Sequence, residues 1–170
     1  MSNLQPNLST TQARVAIIPN PLPTLLPNQK ESDIRLSLRI QADRARVFYA
    51  LSIPEYIEAW LRCPPEDKMR SVFHSVDEDA FRIDLYRAQT LQGSIHSNCS
   101  VPEDNRIRYA WNTKSALGLT ETAVDVKLLS ASGACMLTLT HGGFRDKSES
   151  AWHRELWQQS LATLSRLMEK

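Results

Sequence analysis

The chain has 170 residues, 42% hydrophobic and 23% charged, with 20 basic against 19 acidic side chains and a net charge of +1. That length suits one domain, and a balance with no run of one sign leaves no basic stripe for nucleic acid. No apolar run approaches the roughly 18 residues that a membrane helix needs, and the first residues lack the basic-then-apolar order of a secretory signal. Cys63, Cys99 and Cys135 are odd in number and widely spaced, which argues against a disulfide framework and for a reducing compartment. A cytoplasmic globular protein is expected.

Residues 1–31 differ from the rest. Pro6, Pro19, Pro21, Pro23 and Pro27 forbid a continuous helix or a central strand. Val15, Ile17, Ile18, Leu22, Leu25 and Leu26 are nevertheless too apolar for a plain solvated tail. The segment reads either as an extended Pro/Asn-rich arm, with Ala13 to Ile18 laid against the domain or a partner subunit, or as a disordered leader. Residues 32–170 form the domain proper.

Asp33 to Ile40 alternates, with Ile34, Leu36, Leu38 and Ile40 on one face, and predicts a half-buried strand. Asp43 offers an N-cap for a short helix to about Leu51. Ser52-Ile53-Pro54-Glu55 reads as the start of a second helix, with a capping box, ending before Pro64-Pro65. From Arg70 to Gly142 the period is two and turns are frequent. Strands are expected over Ser71 to Val76, Phe81 to Tyr86, Leu91 to Val101, Ile107 to Asn112, Thr122 to Leu128 and Cys135 to His141. In the third of these, Leu91, Gly93, Ile95, Ser97, Cys99 and Val101 share a face. Arg35, Arg39, Arg82, Arg106 and Arg108, with Asp84 and Tyr86, alternate outward as a solvated sheet face.

Glu149 to Glu169 has no Gly, no Pro and one β-branched residue, Thr163, so helix propensity is high. Trp152, Leu156, Trp157, Leu161, Leu164, Leu167 and Met168 fall on one half of the wheel. His153 and Ser160 interrupt the middle of that half, where a helix lying on a solid core would carry large aliphatics. Their presence predicts a helix that spans a hollow. An antiparallel meander with one polar face needs its other face covered, and this helix is the long amphipathic element left to cover it.

The order of strand, two short helices, strands and a long C-terminal helix resembles the SRPBCC superfamily, also called START-like or Bet v 1-like. Within it the chain is similar to bacterial proteins related to the C-terminal domain of the heat-shock protein 90 ATPase activator. The residues that carry this are Ala42 to Leu51, Pro54-Glu55 with Trp60, Gly93, Ile107 to Trp111, Leu137 to Phe144, and Trp152 with Trp157, Leu161 and Leu164. The family usually has a Gly where this chain has Leu156, and neither the arm nor the co-chaperone's extra N-terminal domain matches, so co-chaperone activity is not carried over. The resemblance implies an α+β helix-grip fold, with a curved antiparallel sheet of six to seven strands wrapped round the long helix. In relatives that fold often encloses a pocket for lipids, polyketides or other small hydrophobic molecules, and some relatives are cyclases.

Catalytic groupings of firm spacing are missing: there is no Gly-x-Ser-x-Gly, phosphate loop, His-Glu-x-x-His or Cys-x-x-Cys. His74, His96, His141 and His153 are scattered, so neither a metal nor a cofactor is expected. His153 could act as an acid or base, could bond a ligand, or could be satisfied by a neighbour. His141 shares the inward parity of Leu139 and could equally bond the Gly142-Gly143 loop. The reading is a non-enzymatic binding protein for a small hydrophobic molecule. The candidate lining is Trp60, Phe81, Ile95, Tyr109, Trp111, Leu139, His153, Trp157, Ser160 and Leu164, with His153 or Tyr109 setting orientation. The alternatives are a stress- or chaperone-related interaction module with a filled pocket, acting through the outer sheet face or the apolar arm (an arm ordered against a second subunit, in a homodimer, would favour this), and a cyclase-like enzyme using His153 or His141.

Overall fold

The structure is a computed structural model and describes residues 32–66 and 68–170. The arm over 1–31 lies outside the described residues. Seven strands form one antiparallel sheet: β1 (Ile34–Ile40), β2 (Met69–Asp77), β3 (Ala80–Arg87), β4 (Thr90–Glu103), β5 (Arg106–Ser115), β6 (Gly118–Ala131) and β7 (Ala134–Gly142). Their order is β1-β7-β6-β5-β4-β3-β2, so β1 and β2 are the two edges. The helices α1 (Arg44–Ser52) and α2 (Pro54–Trp60) connect those edges, and α3 (Lys147–Met168) closes the chain. This is the helix-grip arrangement, with the core between the inner sheet face and α3.

The strands follow their parity. Ile34 pairs with His141, Leu36 with Leu139 and Ile40 with Cys135 across β1 and β7. Ile107, Tyr109 and Trp111 on β5 and Val124, Val126 and Leu128 on β6 are all buried. In β4, Ile95, Ser97 and Cys99 point inward, but Leu91 and Val101 are exposed. Irregularities in pairing at Leu85/Tyr86 and Ser100/Glu103 turn the ends of β4 away from the face its middle shares, as an extra residue does in a ladder. Gly93 lets β5 come close, since a Cβ there would sit 2.6 Å from the Lys114 carbonyl oxygen.

The helix ends depart from expectation in two places. Asp43 caps α1 by accepting the Arg46 backbone N–H at 2.8 Å, as predicted. Ser52, however, is the last residue of α1, and Ile53 takes the N-cap position of α2 without a side-chain bond. Proline forces the residue before it out of the helical region, so the extended position falls on Ile53 and not on the serine. The last carbonyls of α1 are satisfied instead from the core. Trp60 Nε1 donates to Ala50 at 2.8 Å, and the Tyr109 hydroxyl donates to Leu51. Helix α3 starts two residues earlier than Glu149, because Asp146 accepts from the backbone N–H of both Ser148 and Glu149.

Ser160 is fully buried for a reason other than a hollow. Its hydroxyl accepts the Arg62 N–H at 2.8 Å and donates to the Arg62 carbonyl at 3.2 Å. It thereby clips the segment after α2 onto α3. Ser160→Ala removes only the hydroxyl and strands both backbone groups, and is expected to cost about 1–3 kcal/mol in urea unfolding. A change within about 0.5 kcal/mol would mean that the clip does not hold the segment.

Asp84 is also not the solvated residue its outward parity suggests. It is 6% exposed, with His74 Nε2 at 3.0 Å and Arg82 Nε at 3.1 Å from its carboxylate. A carboxylate covered in this way needs those partners.

Candidate functional site

The inner sheet face carries a polar row under α3. Phe81 on β3 lies opposite Ser97 on β4, Ser97 opposite Trp111 on β5, and Trp111 opposite Thr122 on β6. The next row holds Ile95, Thr113 and Thr120. Helix α3 sets His153 and Trp157 over these rows. The ring of Trp157 lies 5.0 Å from Trp111 between centroids, and that of His153 lies 6.3 Å from it.

His141 is wholly buried and its hydrogen bonds determine its tautomer. Trp157 Nε1–H donates to His141 Nδ1 at 2.9 Å, so the proton of the neutral ring sits on Nε2. Nε2–H then donates to Thr122 Oγ1 at 2.7 Å, and the Thr122 hydroxyl donates to the Trp111 carbonyl at 2.7 Å. Burial holds the His141 pKa well below the usual histidine value, and the nearby His153 pushes it the same way. Both ring nitrogens of His141 are spent on structure.

His153 is placed differently. Its Nδ1–H donates to the Glu149 carbonyl, one turn back, at 2.8 Å, so Nε2 carries the lone pair. His153 is 5% exposed, and Nε2 has no partner. Burial lowers its pKa, against the pull of the Glu149 carbonyl and carboxylate, and the ring is neutral at pH 7. Three more buried atoms lack a partner: Ser97 Oγ, Trp111 Nε1 and Thr113 Oγ1. All three belong to the rows just described. His74 Nε2 and Arg82 Nε, though not aligned for a hydrogen bond, stand within ion-pair distance of Asp84. Among the described residues, then, the unpartnered buried side-chain atoms gather in one place, on β4, β5 and the turn of α3 above them.

A groove of about 560 Å³ opens elsewhere, between α1, α2 and the last turn of α3. Tyr49, Tyr56, Ala59, Trp60 and Met168 line it, with Arg46 at its rim, and its remaining walls are alanine and aliphatic. The thiols offer no nucleophile. Burial pushes Cys63 up to about 11 against a hydrogen bond from Ser71, and pushes Cys99 up to about 11 with help from Asp79. No group of three His, Cys, Asp or Glu among the described residues could hold a metal ion. Nor is any helix among them long and apolar enough to cross a membrane.

Residues 41–169 match the family model described as Activator of Hsp90 ATPase homolog 1-like protein. The chain belongs to this family. Solved structures share the family's fold. Protein CV1439 from Chromobacterium violaceum is 22% identical with a TM-score of 0.65, over 82% of this chain and 98% of that one. A family protein from Silicibacter pomeroyi, SPO3351, is 17% identical with a TM-score of 0.60, over 81% and 97%. CalU16 from Micromonospora echinospora is 17% identical with a TM-score of 0.55, over 80% and 75%. No curated protein matches the chain. At these identities the neighbours speak for the fold alone.

Within this family fold, the ten residues expected to line a pocket are all buried. Trp60 is the one that reaches the groove. The other nine lie in the core, where Phe81, Trp111 and Trp157 pack on one another. Tyr109 spends its hydroxyl on Leu51, and burial raises its pKa well above the usual phenol value, so it has no free polar tip to orient a ligand. His153 and Trp111 do. Ser97 and Thr113 were not among the ten. The signal that finds them is a polar side chain at inward parity on two neighbouring strands.

Proposed function

We propose that the protein binds a small hydrophobic molecule between the sheet and α3, and that one oxygenated group of the ligand sits against His153, Trp111, Ser97 and Thr113. The observation that carries this reading is the gathering of four buried polar atoms that lack a protein partner. Leaving a buried donor or acceptor unmade costs about 1–3 kcal/mol each, so four together call for an occupant. The chemistry of that occupant follows from the atoms. His153 Nε2 can only accept and Trp111 Nε1–H can only donate, whereas the two hydroxyls can do either. A hydroxyl group, which can donate to His153 Nε2 while accepting from Trp111 Nε1–H and from one of the two side-chain hydroxyls, meets three of them at once. Burial of apolar area against Phe81, Ile95 and Trp157 would supply the affinity, at about 25 cal/mol per Å² before ordering costs. The reading of a cyclase-like enzyme would need a second free titratable group beside His153, and His141 has both nitrogens engaged.

Native mass spectrometry tests the reading, on the purified protein and after addition of 2-naphthol or naphthalene. The expected result is a small-molecule mass that leaves on unfolding, or 1:1 uptake of 2-naphthol about tenfold tighter than naphthalene. His153→Phe, which removes the acceptor and keeps an aromatic ring, should erase that preference. A bare polypeptide that takes up neither probe would overturn the reading and leave water as the partner of these atoms.

A further inference from the structure

The groove between α1, α2 and the end of α3 is remote from His153, since Met168 lies fifteen residues further along the same helix and so about 22 Å away. Its volume falls in the range of small-molecule sites, about 300–1,000 Å³. Tyr49 and Tyr56 beside it are 58% and 54% exposed, large aromatic surfaces that the fold does not cover. Among its lining residues one carries a charge, Arg46. The Arg46 guanidinium donates through Nη1 to the Met168 carbonyl at 3.0 Å, which fixes it at the rim. No carboxylate among the described residues forms an ion pair with it, so most of its five donors remain available. An apolar trough with one held, uncompensated guanidinium at its edge is complementary to an apolar molecule with an anionic end. A planar fork suits a carboxylate.

We propose that this groove is a second binding site, which takes an apolar carboxylate such as a medium-chain fatty acid. The tail lies on Tyr49, Tyr56 and Trp60, and the carboxylate pairs with Arg46. The site is independent of the interior one, and either can fail without the other.

Isothermal titration of the full chain with dodecanoate and with dodecanol tests this. Dodecanoate is expected to bind 1:1 and about tenfold tighter than dodecanol. Arg46→Gln should bring the two to within about twofold, because it removes the charge and keeps most of the stem. Ala59→Trp, at an exposed position of α2, should fill the groove and abolish binding of both. Tyr56→Glu gives a second readout, since a like charge on the wall should weaken dodecanoate more than dodecanol. Full affinity in Ala59→Trp, an unchanged preference in Arg46→Gln, or no binding by the wild-type chain would each overturn the proposal. Dodecanoate binding that survives Ala59→Trp but falls in His153→Phe would assign the fatty acid to the interior and overturn it as well.

Discussion

Replacing His141 with alanine is expected to cost about 3–5 kcal/mol, enough to remove a large part of the stability of a domain this size. The ring is fully buried and lies 4.4 Å from Phe144 and 5.8 Å from Trp111 between centroids. Its removal therefore opens a cavity among aromatic groups that cannot collapse easily. It also leaves the Trp157 Nε1–H without its acceptor, in a place where water does not reach. His141→Phe separates the two effects. It restores most of the volume but not the acceptor, and should cost about 1–3 kcal/mol. Urea unfolding followed by circular dichroism measures both. A loss below about 1 kcal/mol in the alanine variant would show that α3 is held to the sheet by other contacts.

This placement of His141 explains why the middle of α3 is not aliphatic. The histidine, the serine and the second tryptophan on or near that stripe each have a task. Trp157 reaches His141, Ser160 grips Arg62, and His153 keeps a buried Nε2 without a protein partner. The wheel alone reads such residues as the lining of a hollow, because it shows which side chains share a face and not what stands opposite.

Strand parity made most of the fold legible, since a half-buried antiparallel strand must alternate and Ile107, Tyr109 and Trp111 do. It failed where register changes. Leu91 and Val101 lie beyond irregularities that no residue type announces, and Ser52 lost its cap to the constraint that Pro54 puts on Ile53. In the site, His153 and Trp111 were legible because each stands out on an inward face. Thr113 was not, since it follows the expected end of its strand at Asn112, and Ser97 looked like one polar interruption among many. The groove could not be read at all. It exists only where Tyr49, Tyr56 and Met168 meet, and periodicity within one helix says nothing about how three helices converge.

The same buried histidines should make the protein lose stability in mild acid. Both have folded-state pKa values below the ordinary 6.5, His141 well below it, each chiefly through burial. In the unfolded chain they take up protons near pH 6.5, whereas in the folded protein they resist. The unfolded state therefore binds more protons just below that pH, and stability rises with pH across this window. The full contribution is present above about pH 6.5 and is lost as pH falls, by up to about 1.4 kcal/mol per pH unit for each histidine, until the folded-state values are reached. Asp146, held down by its bonds to Ser148 and Glu149, works in a different range. So does Asp125, where burial is outweighed by Arg106 and Arg108. Their lowered values stabilise the fold above the ordinary carboxylate range and are lost only below it, so the slope between about pH 6 and pH 4.5 belongs to the histidines. Urea unfolding at pH 7.5, 6.0 and 5.0 should show a steady fall in the wild type and a clearly shallower one in His141→Phe, because His141 is the more strongly shifted of the two. A flat profile in the wild type would mean that the folded protein protonates these rings as readily as the unfolded chain does, which the hydrogen bond from Trp157 to His141 Nδ1 forbids.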